Sequence, residues 1–317
     1  MLVTIKSIFS LFFVFASTLA IAQHELSVAF TIPEKDLIPE GITFDPIGNA
    51  FYLGSIHKRK IVRITSKGEV SDFVVSGKDS LLQVLGMTVH SGNLWVCNNT
   101  PEDDTVFMQA QIHVYELKSK RLVKRFTLND GKRHLFNDIY LSKTGDAFIT
   151  DSHAGAVYQI KNNSEKITEL SPPSSVIYPN GIAATENEDK LFVSTGSGRG
   201  IVTIDVTTGA ISDLPNERYF VFGYDGIYRY KKSLIGVQNV VFPAAVHQLM
   251  LDKDEKQITE LKFLSGNDPR FNVPTTGVVV QSSFYFIANS QLMQLEKGEI
   301  KSPETLTATY IMKLTLN

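Results

Sequence analysis

Asn180-Gly-Ile-Ala-Ala-Thr-Glu-Asn-Glu-Asp-Lys-Leu-Phe-Val-Ser-Thr195, followed by Ile201-Val-Thr-Ile-Asp205, is the stretch that decides the architecture. It reads as a short apolar strand, a charged turn, a second strand and, after a Gly- and Ser-rich link, a third strand. Aromatic and β-branched residues bounded by Gly, Ser, Asn or Asp are strand chemistry. The same series recurs on both sides of it. Six copies open on an X-Gly pair or its equivalent: Glu40-Gly41, Leu85-Gly86, Asn137-Asp138, Asn180-Gly181, Asp225-Gly226 and Thr276-Gly277. Their first residues stand 45, 52, 43, 45 and 51 positions apart. Second strands follow at a nearly constant offset, as in Phe51-Tyr-Leu-Gly-Ser55, Leu94-Trp-Val-Cys-Asn98, Ala147-Phe-Ile-Thr-Asp151 and Leu234-Ile-Gly-Val-Gln238. Third strands alternate apolar and polar, as in Ala156-Val-Tyr-Gln-Ile160 and Val246-His-Gln-Leu-Met-Leu251; fourth strands such as Glu165–Leu170 follow the same rule.

Four strands per repeat at this period is the pattern of a β-propeller blade, and six repeats make an all-β, six-bladed β-propeller with four-stranded blades. The last repeat shows two strands, an insertion over Gln291–Ala308 and then a third, Tyr310-Ile-Met-Lys-Leu-Thr-Leu316. Its outermost strand is expected from the N-terminal Leu26-Ser-Val-Ala-Phe-Thr-Ile32, a pairing that closes the ring and removes a free sheet edge. Two β-sandwiches are the alternative. Six near-equal periods without a Pro- or Ser-rich linker argue against them.

Composition narrows the function by exclusion. The 317 residues are 43% hydrophobic and 20% charged, enough for a core. Lys plus Arg number 31 against 33 Asp plus Glu, a net charge of −2. With no basic excess to neutralise phosphates, nucleic acid is not an expected partner. Cys97 is the only cysteine, which excludes an intrachain disulfide framework, a thiolate zinc site and a CxxC redox pair; it reads as a small buried side chain. Lys6, the apolar run Ile8–Ala16 and small residues at Ala20 and Ala22 form the pattern of a signal peptide over residues 1–22. The expected mature chain, 23–317, is then one propeller domain, exported to the periplasm or the exterior, monomeric and with no membrane segment. Removing Lys6 takes its charge to −3.

Innermost strands line the channel of a propeller, so residues at one phase of different blades converge near the axis. The phase before the small turn residue holds Glu40, Leu85, Asn137, Asn180, Asp225 and Thr276. Four of these offer side-chain oxygens, two of them carboxylates whose combined charge matches a divalent cation. Hard oxygen ligands suit Ca²⁺ first, then Mg²⁺ or Mn²⁺. With neither sulfur nor imidazole in the set, Zn²⁺ comes last. Taken singly, Asn-Gly and Asp-Gly are ordinary turns; oxygen donors at one phase in four blades are not explained that way.

Pro39-Glu40-Gly41-Ile-Thr-Phe-Asp45, Phe136-Asn137-Asp138-Ile139, Tyr178-Pro179-Asn180-Gly181-Ile182 and Tyr224-Asp225-Gly226-Ile227 resemble the SMP-30/gluconolactonase group of six-bladed propellers, to which lactonases, paraoxonases and diisopropylfluorophosphatase-like phosphotriesterases are related. The resemblance runs over roughly the whole mature chain. It implies that Glu40, Asn137, Asn180 and Asp225 hold a catalytic divalent cation, usually calcium, at the floor of the channel. It also marks departures. Leu135 stands where sugar-lactone hydrolases of the group carry an arginine, Leu85 where paraoxonases carry a histidine, and Gly41 where their second calcium takes an acid.

The chemistry expected of such a site is hydrolysis of a lactone, ester or phosphoester, a small-molecule substrate, with Lewis-acid help from the cation. Asp225 is the candidate base or nucleophile and His134 the next candidate base. Asp138 and Asp151 are expected to orient the ligands. His57-Lys-Arg-Lys60 reads as a solvated strand edge, and His113 and His247 receive no role. A non-catalytic, ligand- or protein-binding propeller whose metal only ties the inner strands together stands as the alternative, since fold does not fix function.

Overall fold

Strands of this chain carry apolar side chains on both faces, so each must be covered on two sides, and a ring of sheets packed face to face provides that cover. The computed structural model describes residues 25–101, 109–216 and 218–317; the expected signal peptide lies outside them. Six four-stranded antiparallel sheets form the blades. Blade 1 is Pro39–Asp45, Ala50–Ser55, Ile61–Thr65 and Val70–Val74. Blade 2 opens with Gln83–His90, blade 3 with Phe136–Leu141, blade 4 with Ile182–Ala184, blade 5 with Tyr224–Tyr230 and blade 6 with Gly277–Val280. The third strands Ala156–Ile160 and Ile201–Asp205 have the bounds read from the sequence.

Successive side chains of a strand point to opposite faces, and here each face belongs to a different interblade core. Phe51 and Leu53 join Ile287 and Ile311 of blade 6, whereas Tyr52 between them joins Leu94 and Val96 of blade 2. Six apolar clusters result, one between each pair of neighbouring blades. Cys97, fully buried, belongs to the one between blades 2 and 3.

The ring closes as the sequence predicts. Leu26–Ile32 pairs antiparallel with Thr309–Thr315 and forms the outer strand of blade 6. The chain then passes beside blade 1, and this changes the expected basic edge. Lys58 pairs with Asp36 at 2.5 Å, and Lys60 reaches Glu34 at 2.7 Å and Asp72 at 2.9 Å, so these lysines are ion-paired rather than simply solvated.

Antiparallel order puts the start of strand 1, the end of strand 2, the start of strand 3 and the end of strand 4 on one face of each blade; in blade 1 the pairs Pro39–Ser55, Gly54–Ile61 and Ile61–Val74 mark it. All six phase residues stand on this face. The insertion of blade 6 leaves from the same face, between Ile287 and Thr309, and carries a small hairpin of Leu295–Glu296 with Glu299–Ile300.

Candidate functional site

At the phase residues the inner strands break register. The ladder shifts between Pro39 and Ile42, Val84 and Met87, Phe136 and Ile139, and Tyr224 and Ile227. Each break leaves two residues unpaired and contains Glu40, Leu85, Asn137 or Asp225. A bulge of this kind re-aims a side chain that a regular strand would commit to an interblade face. In blades 4 and 6 the inner strand begins just after Asn180-Gly181 and Thr276, with the same effect.

Close approach explains the glycine that follows. A Cβ on Gly41 would lie 2.0 Å from the carbonyl oxygen of Leu85, and one on Gly181 would lie 2.5 Å from that of Asp225. Each glycine therefore lets the next blade's phase residue come near the axis. Blade 3 has Asp138 instead. Its Oδ1 accepts from the Ile139 amide at 2.8 Å and its Oδ2 from the Ile182 amide of blade 4 at 3.2 Å. Asp138 thus bridges two blades by its side chain.

Glu40, Asn137 and Asp225 are buried and Asn180 is half-buried. Asn137 donates to Ser152 Oγ at 2.9 Å. Asp225 Oδ2 accepts from Asn239 Nδ2 at 2.5 Å, and the Asn180 carboxamide also hydrogen-bonds the Asp225 side chain. Two oxygens of the set have no partner: Glu40 Oε2 and Asn180 Oδ1 are buried and accept no hydrogen bond.

The electrostatics agree with the geometry. Burial, and then the charges of Asp225 and Asp138, push the Glu40 carboxyl well above the ordinary carboxylate range. Burial raises Asp138 to about 7, with Asp225 adding to it, and burial raises Asp225 against the pull of Asn239 and Asn180. Buried carboxylates, two of them raised further by the charge of Asp225, lack a counter-charge, and buried oxygens without donors lack a partner. A hard divalent cation supplies both, so the four residues fit one. The set contains only two carboxylates; among the described residues no group of three or more His, Cys, Asp and Glu side chains is placed to hold a metal.

His134 departs from the role of a free base. Its Nδ1 lies 2.5 Å from Asp151 Oδ2 and its Nε2 2.8 Å from Asp130 Oδ1, with the ring packed between Phe136 and Tyr158. Burial lowers its pKa, but hydrogen bonds and charge from Asp151 and Asp130 outweigh this and raise it. An imidazolium that donates to two carboxylates has no lone pair for a substrate proton. Asp151 also accepts from the Leu135 and Ala154 amides, each at 3.0 Å. The pair fastens the segment that leads into Asn137, and Asp151 touches none of the four oxygen donors through a hydrogen bond in this network.

Sequence reading missed the side chains that fix the phase residues from the neighbouring blade. Asn99 makes a reciprocal pair with the Phe136 backbone, 2.8 Å each way. Thr150 donates to the Asn180 carbonyl at 2.7 Å and Ser152 to that of Pro179 at 2.6 Å. Asn239 gives its second hydrogen to the Pro274 carbonyl at 2.9 Å, and Thr275 donates to the Glu40 carbonyl at 3.1 Å. Asn99, Ser152 and Asn239 all stand at or just after the end of a second strand, so a polar residue recurring there was the available signal.

Residues 38–226 match the family described as SMP-30/Gluconolactonase/LRE-like region. No curated protein matches the chain. Among solved structures it is similar to a gluconolactonase from Xanthomonas campestris, with a TM-score of 0.63 at 14% identity over 93% of this chain and 90% of that one. It is also similar to virginiamycin B lyase from Staphylococcus aureus, with a TM-score of 0.61 at 16% identity over 93% of this chain and 100% of that one. A third is the PQQ-bound aldose sugar dehydrogenase of Streptomyces coelicolor, with a TM-score of 0.63 at 12% identity over 92% and 99%. At such identities the likeness establishes the fold. The chemistry has to come from the residues.

Proposed function

Because this chain belongs to the SMP-30/gluconolactonase/LRE-like family of propellers, we propose that it is a divalent-cation-dependent hydrolase of a lactone or ester, with calcium as the cation. The observation that carries this is the pair of buried oxygens without donors, Glu40 Oε2 and Asn180 Oδ1, set at one phase with the oxygens of Asn137 and Asp225. Those four residues would hold the cation. When bound, it supplies Lewis acidity toward the carbonyl oxygen of the substrate.

The chain's own residues supply position and proton transfer. Asn239 and Asn180 hold the Asp225 carboxylate in one orientation, as a base must be held to be effective. Asp225 accepts a proton from the water that attacks the carbonyl carbon, the acyl–oxygen bond breaks, and the proton passes to the departing alkoxide. Ser152 fixes the Asn137 carboxamide. Leu85 and Leu135, both buried on the same face, exclude water and strengthen the electrostatics there. His134 holds the approach to Asn137 and takes no proton from substrate.

Hydrolysis of a panel of aliphatic lactones, sugar lactones and aryl esters, with and without chelator, tests this reading. Activity is expected to vanish on chelation, to return with calcium and to be lost in Asp225→Asn. Activity that survives both the chelator and Asp225→Asn contradicts it.

A further inference from the structure

Three residues past Asp225, the inner strand of blade 5 carries Tyr228, half-buried, whose side chain turns back toward the candidate ligands. A Cβ on Gly226 would lie 2.2 Å from its hydroxyl oxygen. The phenol tip therefore rests on the residue that follows Asp225, and a side chain there would displace it. The ring packs against Phe284 of blade 6, with 5.3 Å between centroids. From the same blade the Gly277 amide, next to the phase residue Thr276, donates to the hydroxyl oxygen at 2.8 Å. Tyr228 Oη thus stands between blades 5 and 6, one step along each inner strand from the ligand phase.

That oxygen accepts one hydrogen bond and still has its own proton to give; among the described residues no group accepts it. The charges that act on it are those of the site. Burial first, then Asp138, and further Asp225 and Glu40, push the phenol well above its ordinary value against the pull of the Gly277 amide. Tyr228 therefore stays protonated. Ionised carboxylates accept hydrogen bonds and cannot donate, so a neutral phenol serves them as a donor. A hydrogen bond to an anion is about twice as strong as a neutral one.

We propose that Tyr228 is a positioning residue of the cation site: its hydroxyl, braced by the Gly277 amide, gives its proton to the channel carboxylates, directly or through one water, and holds their oxygens toward the cation. The inference rests on the cation reading of Glu40, Asn137, Asn180 and Asp225, and adds to it a donor that is not itself a ligand. The same hydroxyl ties blade 5 to blade 6, and the test has to separate the two roles.

Full-length, chelator-treated protein is titrated with calcium as wild type, Tyr228→Phe and Tyr230→Phe, by calorimetry and by near-ultraviolet tyrosine difference absorbance. Tyr230→Phe is the control for a lost tie: Tyr230 belongs to the same apolar cluster as Phe284, and its hydroxyl donates to the Leu316 carbonyl at 3.4 Å. Tyr228→Phe is expected to bind calcium about tenfold more weakly. It is also expected to lose the difference signal that calcium raises in wild type, because the perturbed phenol is the one removed. Tyr230→Phe is expected to keep both affinity and signal, whatever either substitution does to Tm. Unchanged calcium affinity in Tyr228→Phe, or a difference signal that survives there, overturns the proposal and leaves Tyr228 a tie between blades. Equal weakening in both variants overturns it too, since lost stability then accounts for the effect. A wild type that binds no calcium contradicts the cation reading of the site, and this proposal with it.

Discussion

Asn239 donates to Asp225 Oδ2 at 2.5 Å and, with its other hydrogen, to the carbonyl of Pro274 in the next blade at 2.9 Å. One carboxamide therefore orients the proposed base and ties it to blade 6. Asn239→Ala is expected to lower kcat/KM by about 10- to 100-fold, as removal of a residue that orients a metal ligand does, with KM little changed. Steady-state kinetics check it. An unaltered kcat shows that Asp225 is held without Asn239.

Gly41 faces the Leu85 carbonyl so closely that a Cβ would lie 2.0 Å from it. Backbone is the obstacle, so relief requires the inner strands of blades 1 and 2 to part. Gly41→Ala is expected to cost at least about 1–3 kcal/mol and to weaken cation binding through Glu40. Gly198→Ala, where a Cβ meets nothing within 4 Å, is the control and is expected to stay within about 0.5 kcal/mol. Denaturant unfolding of the two variants measures the contrast.

His134 makes a pH-dependent contribution whose sign is fixed by the direction of its shift. Its folded pKa is raised above the ordinary 6.5 despite burial, through Asp151 and Asp130. The contribution is fully present below the unfolded value and is lost as pH rises through the folded one. Asp130 is shifted down: burial raises it, but hydrogen bonds to His134 and Lys132 prevail, so its share is lost as pH falls through its folded value. Wild type is thus expected to lose its stability advantage over His134→Gln on the alkaline side, between pH 6 and a pH above the folded value. Tm measured against pH for both proteins decides it; a constant difference across that range contradicts an ionised clamp.

Leu26–Ile32 seals the outer edge of blade 6, and Ile32 is 1% exposed in the core shared with blade 1. Ile32→Ala is expected to cost about 2–5 kcal/mol. A chain that begins at residue 33 leaves Thr309–Thr315 as an open edge and is expected to associate with rising concentration, which light scattering reads. A monomer of wild-type stability shows that strand pairing does not close the ring.

Most of the fold could be read from the sequence because blade strands are locally specified. Phe51, Tyr52 and Leu53 are strand formers whichever core each enters, and the spacing of Glu40, Asn137, Asn180 and Asp225 follows from the repeat. What depended on the ring was not legible. Asn239 and Ser152 look like loop residues until the next blade is beside them, and Leu292 and Leu295 reach a cluster more than a hundred residues away in sequence. His134 is three residues before Asn137 and looked like a base on that ground; Asp151, 17 residues away, takes up its Nδ1. Lys58 and Lys60 seemed a solvated edge because Asp36 and Glu34 come alongside only when the N-terminal strand has closed blade 6.

Calcium titration by calorimetry of chelator-treated protein, wild type beside Glu40→Gln, tests the channel cation site most directly. One site per chain is predicted in wild type, weakened by more than about tenfold in Glu40→Gln because a charged ligand is lost. Wild-type protein that binds no calcium, or a Glu40→Gln variant that binds it as well as wild type, contradicts the assignment of the channel oxygens to a cation.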